Sequence, residues 1–371
     1  MDIKTVTLYK IKMSLKTPFT THLGTVRDRE GIIVEVADKE GRTGYGEGVA
    51  FSSPWYTEET IETSWNMLKA FLIPLLKNAD LSHPSEAGPL FDAYRRNQMA
   101  KAALETALWD LAAKKEDVSL SKFIGGIQEK IPSGVVVGAK TKEEVRRQIE
   151  SYLEDGYKRV KIKISPENDY EFISEIRSLY PELPLMADAN SAYTLEHIGH
   201  LKRLDDFGLL MIEQPLEYDD IVDHAKLQKE LKTPICLDES IVTFNDARRA
   251  VELGSCKVIN IKIGRVGGLG TAKKIYDYCL EKGIQVWCGG MLEFGISRAH
   301  NIALASLEGF SIPGDISASG RYWEEDIILP EVTVKDGKIE VPGKPGIGFE
   351  INQNRLKEVT VKKESFSFYK K

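Results

Sequence analysis

The stretch RVKIKIS, residues 159 to 165, indicates the type of fold, because charged side chains interrupt an otherwise apolar run. Side chains on a β-strand point alternately to its two faces. Lys161 and Lys163 therefore share one face, and the valine and isoleucines around them share the other. Two cations on one side of such a strand indicate a polar interior, with the apolar side packed outward against helices.

Similar strands recur along the second half of the chain. From about residue 130, short apolar strands alternate with amphipathic helices, a pattern typical of βα units around a parallel sheet. The predicted strands are SGVVVGA, RVKIKI, LPLMAD, LLMIEQ, PICLDE, KVINIKI, IQVWCGG and FSIPGD. Eight such strands predict an α/β fold of the (β/α)₈ barrel type, from about Pro132 to Ser319.

Different patterns flank this barrel. Residues 1 to about 52 alternate apolar and polar side chains, which predicts a small antiparallel sheet, and helical spacing follows from Thr57 to Leu76. Residues 320 to 371 return to short strand-like pieces, and we expect them to pack on the N-terminal module. The predicted segments are a capping domain (1–130), a barrel with the active site (131–320) and a C-terminal tail that completes the cap (321–371).

The composition excludes several classes of partner. The 371 residues are 42% hydrophobic, enough for a sizeable core, and the net charge of −6 comes without a basic stripe, so no nucleic-acid partner is expected. The N-terminus is charged throughout, and no stretch approaches the roughly 20 apolar residues of a membrane span. We therefore expect a cytoplasmic protein without membrane contact. The four cysteines, in apolar settings without a CxxC pair, are interpreted as reduced core thiols.

Five polar residues near the ends of consecutive predicted strands have regular spacing. They are Lys163, Asp188, Glu213, Asp238 and Lys262, separated by 25, 25, 25 and 24 residues. This interval is about one βα unit, so the five occupy equivalent positions on neighbouring strands. In a closed barrel they converge on the carboxyl-terminal mouth, where such barrels build active sites.

The three acids predict a metal site. If only one of these acids were present, the N-cap of the following helix would be the preferred interpretation. Together in a barrel mouth, however, they cannot all stay ionised without a counter-ion, because like charges raise each other's pKa. All-oxygen ligation without histidine or cysteine favours a hard cation over zinc, and a site that keeps positions open favours Mg²⁺ over Ca²⁺, with Mn²⁺ as a substitute.

The flanking lysines suit proton transfer. Lys163 and Lys262 can act as general base and acid if the metal lowers their pKa values toward neutrality, with Lys161 adding like-charge repulsion. The alternative is that each lysine simply pairs with a carboxylate. The chemistry predicted is removal of a proton α to a substrate carboxylate, with the metal stabilising the enediolate. Protonation from the other face then gives racemisation, and loss of a β-leaving group gives dehydration.

The motifs carrying these residues resemble those of the enolase superfamily. VKIKI, MADANS, MIEQPL, CLDES and INIKIGRVGG are similar to the muconate-lactonizing-enzyme subgroup, and VWCGGMLEFG lacks the histidine that the mandelate racemase subgroup would carry. GYGEGVAFSSPWYTEET, CGGMLEFGISRAHNIALASL and IPGDISASGRYWEED resemble the o-succinylbenzoate synthase / N-succinylamino acid racemase family. The resemblance covers essentially the whole chain and implies a modified (β/α)₇β barrel with an α+β capping domain.

The resemblance also implies roles for individual residues. Asp188, Glu213 and Asp238 would bind Mg²⁺, Lys163 and Lys262 would form the acid–base pair, and Lys161, Asn190 and Glu239 would support them. The implied reaction is dehydration of 2-succinyl-6-hydroxy-2,4-cyclohexadiene-1-carboxylate in menaquinone synthesis. The expected partner is this small carboxylate, and a homo-oligomer is expected.

Other activities stay open at this point. The alternatives are a dedicated N-acylamino acid racemase, a dipeptide epimerase and a non-catalytic binding relative. The run Asp315-Ile316-Ser317 lacks the Asp-x-Asp of epimerases, and the presence of all five strand-end residues disfavours a non-catalytic protein.

Substrate preference is assigned to loops of the cap and barrel, near Thr21 to Arg29, Phe51 to Tyr56 and GGML. The predicted substrate contacts are Phe51, Tyr56, Ser133, Gly289, Gly290, Met291 and Leu292. The aromatic residues serve equally well as cap-to-barrel packing. The two glycines are most simply interpreted as allowing a ligand to approach the backbone closely, with a plain turn as the alternative. The roles of Arg265, Phe294 and Gly320 are left open.

Overall fold

The structure is a computed structural model that describes residues 1–21, 24–137 and 142–368. Its strands are β1 (Ile3–Thr21), β2 (Gly24–Asp38), β3 (Thr43–Gly48), β4 (Lys130–Pro132), β5 (Val135–Val137), β6 (Val160–Lys163), β7 (Leu185–Asp188), β8 (Ile212–Glu213), β9 (Ile235–Leu237), β10 (Val258–Ile261), β11 (Gln285–Cys288), β12 (Ile328–Leu329), β13 (Lys338–Glu340), β14 (Glu350–Ile351) and β15 (Thr360–Ser367).

Helices cover both the cap and the barrel. The α-helices are α1 (Ile61–Met67), α2 (Ile73–Lys77), α3 (Ala87–Phe91), α4 (Gln98–Lys115), α5 (Leu120–Phe123), α6 (Lys142–Glu154), α7 (Asp169–Leu179), α8 (Ile198–Lys202), α9 (Val222–Glu230), α10 (Phe244–Leu253), α11 (Ile263–Val266), α12 (Leu269–Glu281), α13 (Gly295–Ala305) and α14 (Gln353–Val359). A π-helical turn (Leu68–Leu72) joins α1 to α2, and short 3₁₀ turns occupy Pro84–Glu86, Leu195–His197, Arg203–Phe207 and Ser319–Arg321.

The barrel is a parallel sheet of seven strands in chain order, from β5 to β11. Helices separate consecutive strands, which is the connection that parallel pairing requires. Most apolar residues of these strands are buried, and Val160 and Ile162 of β6 are fully buried. The sequence prediction of a modified barrel with a cap is confirmed.

The predicted eighth strand, FSIPGD, is wrong as a strand. Within the described residues, this segment contributes a single β-bridge, between Gly314 and Ser133. Pro313 has no N–H to donate, so a regular ladder cannot pass through it. The segment still closes the barrel, because Gly134 N donates to Gly314 O (2.8 Å) and Asp315 N donates to Cys288 O (3.1 Å).

The cap is an antiparallel sheet in the order β15-β1-β2-β3, backed by α4. The C-terminal tail joins it through β15, with Thr5 opposite Ser367. Helix α4 lies against β3 so closely that a Cβ at Gly44 or Gly46 would stand about 2 Å from a backbone carbonyl of the helix. The predicted boundaries at residues 130 and 320 stay predictions.

Two buried glutamates of the cap hold it on the barrel. Glu105 accepts hydrogen bonds from Leu269 N and Gly270 N, at the start of α12. Glu47 accepts from the backbone N–H groups of Phe294 and Ser297, at the start of α13. Both helices begin beyond the carboxyl ends of barrel strands, so these contacts place the cap over the barrel mouth.

The described helices and the cysteines were also compared with the composition. None of the helices in the described part of the chain combines the length and apolar character needed to cross a membrane. All four cysteines are buried and unbridged, which confirms the interpretation as reduced core thiols.

Candidate active site

The barrel interior is apolar at its base and charged at its mouth. A buried cluster inside the sheet consists of Met186, Met211, Cys236, Val258 and Trp287. A step of two residues along a strand keeps a side chain on the same face. The interior residues two positions farther along are Asp188, Glu213, Asp238 and Asn260. An apolar floor therefore closes the barrel beneath a polar site.

The three predicted metal ligands are buried at neighbouring strand ends. Lys163 is in register with Asp188, and Asp188 is in register with Glu213. Each carboxylate accepts a hydrogen bond from a different lysine. The pairs are Lys163 Nζ to Asp188 Oδ2 (2.7 Å), Lys161 Nζ to Glu213 Oε2 (3.0 Å) and Lys262 Nζ to Asp238 Oδ2 (2.8 Å). The structure thus brings the five evenly spaced residues together.

The two lysines of RVKIKIS differ in exposure. The Lys163 side chain is 43% exposed, and its Nζ also donates to Oδ1 of Asn190. The Lys161 side chain is 5% exposed, and its Nζ lies near three carboxylates, those of Asp315 (2.6 Å), Glu213 (3.0 Å) and Asp188 (3.4 Å). Burial alone would lower the pKa of Lys161, but these carboxylates raise it well above its usual value. A substrate at the mouth can therefore reach Lys163, whereas Lys161 is a buried cation.

Asp238 is held by two cations. Arg265 Nη1 donates to Asp238 Oδ1, and Lys262 donates to Oδ2. The Arg265 guanidinium also donates to the carbonyl oxygens of Ile241 (2.9 Å) and Asn260 (2.7 Å). Burial opposes ionisation of Asp238, but the charges of Arg265 and Lys262 hold its pKa well below its usual range. Arg265 therefore binds a buried carboxylate of the site rather than one at the surface.

Tyr56 reaches this site from the cap. Its hydroxyl oxygen accepts from Lys262 Nζ (2.9 Å) and Arg265 Nη1 (3.2 Å), and burial raises the pKa of Tyr56 to about 12. Phe51 is buried, with its ring 4.4 Å from that of Trp55 between centroids. Tyr56 is thus adjacent to a proposed reacting lysine, while Phe51 belongs to an aromatic cluster beside it.

The carboxylate oxygens of this site are suitable ligands for a hard divalent cation. Burial raises the pKa of Glu213 to about 8, with Asp188 adding to the rise, and burial raises that of Glu239 to about 7. Glu239 Oε1 accepts from Asn190 Nδ2 (3.1 Å), while its Oε2 is buried without a hydrogen-bond partner. A cation would relieve this excess of buried carboxylate oxygen. Among the described residues, no group of three or more Asp, Glu, His or Cys side chains has an arrangement that could hold a metal ion.

The backbone turns sharply where the acid-bearing strands end. Gln214 has φ 39°, and Asn190 and Ser191 have φ 41° and 65°. Residues other than glycine rarely adopt this left-handed region, and such residues concentrate at functional sites. Gln214 also orders its neighbour, because its Oε1 accepts from the backbone N of Asp238 (3.0 Å).

The glycines of GGML are explained by protein neighbours. A Cβ at Gly289 would lie 2.1 Å from Asn260 Oδ1, and one at Gly290 would lie 2.2 Å from the Asp315 carbonyl oxygen. Leu292 is buried, and Met291 is half-buried. A direct substrate contact at these four positions stays a prediction, as it does for Phe51.

Ser133 lies apart from the other predicted site residues. It precedes β5, and therefore lies toward the amino-terminal end of the sheet, opposite to the end that carries the lysines. It is fully buried, and its hydroxyl donates to the carbonyl of Ile316. Barrel closure uses this side chain, so we do not place it in the mouth.

Phe294 and Gly320 both lie next to residues of the cap. The Phe294 ring is fully buried against Trp323 (4.8 Å between centroids), and a Cβ at Gly31 would lie 2.6 Å from it. Gly320 has open space around its Cα, and its carbonyl accepts from Lys16 Nζ (3.0 Å). Phe294 thus packs the cap against the barrel.

Two polar residues of the site escaped the sequence analysis. Asn260 Nδ2 donates to Glu213 Oε1 (2.7 Å), and Asp315 joins Lys161 to Arg159 Nη2 (2.7 Å). Asn260 stands two residues before Lys262, and strand alternation could have identified it. Asp315 is the last residue of the predicted strand FSIPGD, but the sequence analysis considered it only as part of an incomplete Asp-x-Asp motif.

Comparisons with known proteins agree with this architecture. The family model described as the N-terminal domain of mandelate racemase / muconate lactonizing enzyme matches residues 3–125, and the one described as enolase C-terminal domain-like matches residues 144–355. An o-succinylbenzoate synthase of Bacillus subtilis (strain 168) is 55% identical over 367 residues, 99% of each chain. An N-succinylamino acid racemase of Thermus thermophilus is 42% identical, over 97% of this chain and 98% of that one.

A solved structure gives the same result for the fold. An enolase superfamily member from Listeria innocua superposes with a TM-score of 0.97 at 44% identity, covering all of both chains. Together with the two family models, this shows that the chain belongs to the mandelate racemase / muconate lactonizing enzyme family of the enolase superfamily.

Proposed function

We propose that the protein is a Mg²⁺-dependent o-succinylbenzoate synthase, which dehydrates 2-succinyl-6-hydroxy-2,4-cyclohexadiene-1-carboxylate to 2-succinylbenzoate. One observation carries the proposal: Lys163 and Lys262 flank a buried carboxylate trio in a chain 55% identical to an o-succinylbenzoate synthase. The supply of menaquinone precursors is the proposed cellular role, tested by whether the gene restores menaquinone to a bacterial strain that lacks this synthase.

Asp188, Glu213 and Asp238 would hold the Mg²⁺. When bound, the ion would neutralise negative charge that develops on the substrate carboxylate after proton loss. The buried carboxylates and the orphaned Glu239 Oε2 support this assignment. Members of the family generally use a divalent metal, usually Mg²⁺.

The lysines would handle the proton. Lys163, exposed at the mouth and bonded to Asp188 and Asn190, would remove the α-proton and help water leave from the same face. Lys262, held by Asp238 and Tyr56, would stay a cation and stabilise the enediolate. In this structure Asp238 raises the pKa of Lys262 against the lowering effect of burial, which agrees with a cationic role.

N-Succinylamino acid racemisation is the second candidate. It needs a lysine on each face of the substrate, and the sheet order places three strands between those of Lys163 and Lys262. Relatives 42% and 40% identical are named N-succinylamino acid racemase. A homo-oligomer is also proposed, to be tested by light scattering.

Asp238→Asn should weaken Mg²⁺ binding about tenfold or more, because it removes one anionic ligand. Titration calorimetry of the purified protein measures this affinity. Asp277→Asn is the matched control, since Asp277 is an exposed carboxylate paired with Lys273. Equal Mg²⁺ affinity in Asp238→Asn and wild type would remove Asp238 from the metal site.

Mg²⁺ affinity should rise with pH up to about 8. The pKa of Glu213 in the metal-free protein is about 8, so this ligand is mostly protonated at pH 6.5 and must lose its proton when the ion binds. The apparent affinity should rise by up to about tenfold per pH unit below 8 and level off above it. Calorimetry in buffers of different ionisation enthalpy should detect about one proton released at pH 6.5. An affinity flat between pH 6 and 8 would contradict this assignment.

A further inference from the structure

Arg29 is a buried cation that the proposed chemistry does not use. It lies on β2 of the cap and is 1% exposed. Among the described residues, its guanidinium donates only to backbone carbonyl oxygens, which are those of Leu292 (2.7 Å from Nε), Ala50 (2.6 Å from Nη1), Val49 (2.6 Å from Nη2) and its neighbour Glu30. Arg29 therefore cross-links three segments of backbone rather than pairing with one acid.

One of these segments borders a loop assigned to substrate preference, and another belongs to such a loop. Val49 and Ala50 directly precede Phe51, and the Arg29 Cζ lies 4.5 Å from the Phe51 ring centroid. Leu292 belongs to the barrel loop GGML. One guanidinium thus fixes the cap loop and the barrel loop relative to each other, across the junction between the two parts of the chain.

Only arginine suits this position. A planar guanidinium presents its N–H groups in a rigid fork, so it can serve several carbonyls that lie in different directions, whereas a lysine ammonium on a flexible stem cannot reach them all. When ionised, the buried carboxyl groups of Glu47 and Glu293 favour the charged form of the guanidinium. Burial lowers the pKa of Arg29 to about 10, and the residue stays a cation at neutral pH.

We propose that Arg29 is a positioning residue for substrate affinity: it sets the separation between Phe51 and Leu292, and so the shape of the pocket for the succinyl arm. The inference rests on the proposed function. Within the described part of the chain, the Arg29 guanidinium donates to loop and strand carbonyls and not to Asp188 or Asp238, the carboxylates that pair with Lys163 and Lys262. Removal of the guanidinium should therefore change KM far more than kcat.

The test compares Arg29→Met with Arg177→Met. Arg177 is a matched control, because its guanidinium also donates mainly to backbone carbonyls, including those of Phe207, Pro181 and Leu183 (2.8 Å each), but on α7, away from both loops. Steady-state dehydration kinetics are measured for both variants and the wild type, well below the melting temperature of each. Arg29→Met should raise KM about tenfold or more with kcat within about threefold, and Arg177→Met should leave KM unchanged.

Arg29→Lys serves if the methionine variant does not fold. It keeps the charge and part of the bonding, so KM should rise less, by about threefold. A merely structural role would lower kcat through an inactive fraction and leave KM unchanged, which would overturn the inference. Equal KM increases in the Arg29 and Arg177 variants would also overturn it. A wild type without dehydratase activity would instead overturn the proposed function and this inference with it.

Discussion

Lys163→Ala should lower turnover of both proposed substrate types by about 10³-fold or more, because it removes the group that takes the α-proton. The structure supports this role, since Lys163 is the exposed lysine at the mouth and is oriented by Asp188 and Asn190. Dehydration is followed by formation of the aromatic product, and racemisation by loss of optical rotation.

The matched control for this variant is Lys158→Ala. Lys158 is an exposed lysine five residues upstream, before the strand begins, and its loss should leave both activities near wild type. Appreciable dehydration by Lys163→Ala would show that another group removes the proton.

Lys262→Ala should affect α-proton exchange unequally for the two enantiomers of the racemase substrate. If the racemase reaction uses one lysine per face, this variant should lose α-proton exchange from one enantiomer of an N-succinylamino acid by more than about 10²-fold and keep it for the other. NMR in D₂O records the exchange of each enantiomer separately. Dehydration should also fall, because Lys262 provides the cation beside Asp238 and Tyr56.

Lys257→Ala is the control for that experiment. It is an exposed lysine at the entrance to the same strand, with no part in the mouth. Equal loss of exchange for both enantiomers in Lys262→Ala, with Lys257→Ala unaffected, would contradict the two-face arrangement.

Strand periodicity predicted the barrel and the arrangement of its charges. The alternation in RVKIKIS placed Lys161 and Lys163 on one face, and the structure shows both inside the barrel. The 25-residue spacing brought the acids to adjacent strand ends because each βα unit has nearly constant length, as the register of Asp188 with Glu213 shows.

Contacts made by irregular or distant segments could not be predicted in this way. FSIPGD has the composition of a strand, yet Pro313 limits it to one bridge, and Asp315 at its end pairs with Lys161. Ser133 was predicted to contact the substrate, but it precedes β5 and lies toward the opposite end of the sheet. The proposed role of Arg29 depends on hydrogen bonds to backbone carbonyl groups. Every residue has such a group, so the sequence does not indicate which ones Arg29 contacts.

The most direct test of the central claim is an assay of the purified wild-type protein with 2-succinyl-6-hydroxy-2,4-cyclohexadiene-1-carboxylate. Product formation is followed with Mg²⁺ present, after removal of divalent ions by a chelator, and after Mg²⁺ is added back. We expect conversion to 2-succinylbenzoate that stops with the chelator and returns with Mg²⁺. Absence of conversion at saturating Mg²⁺, or conversion unaffected by the chelator, would contradict it.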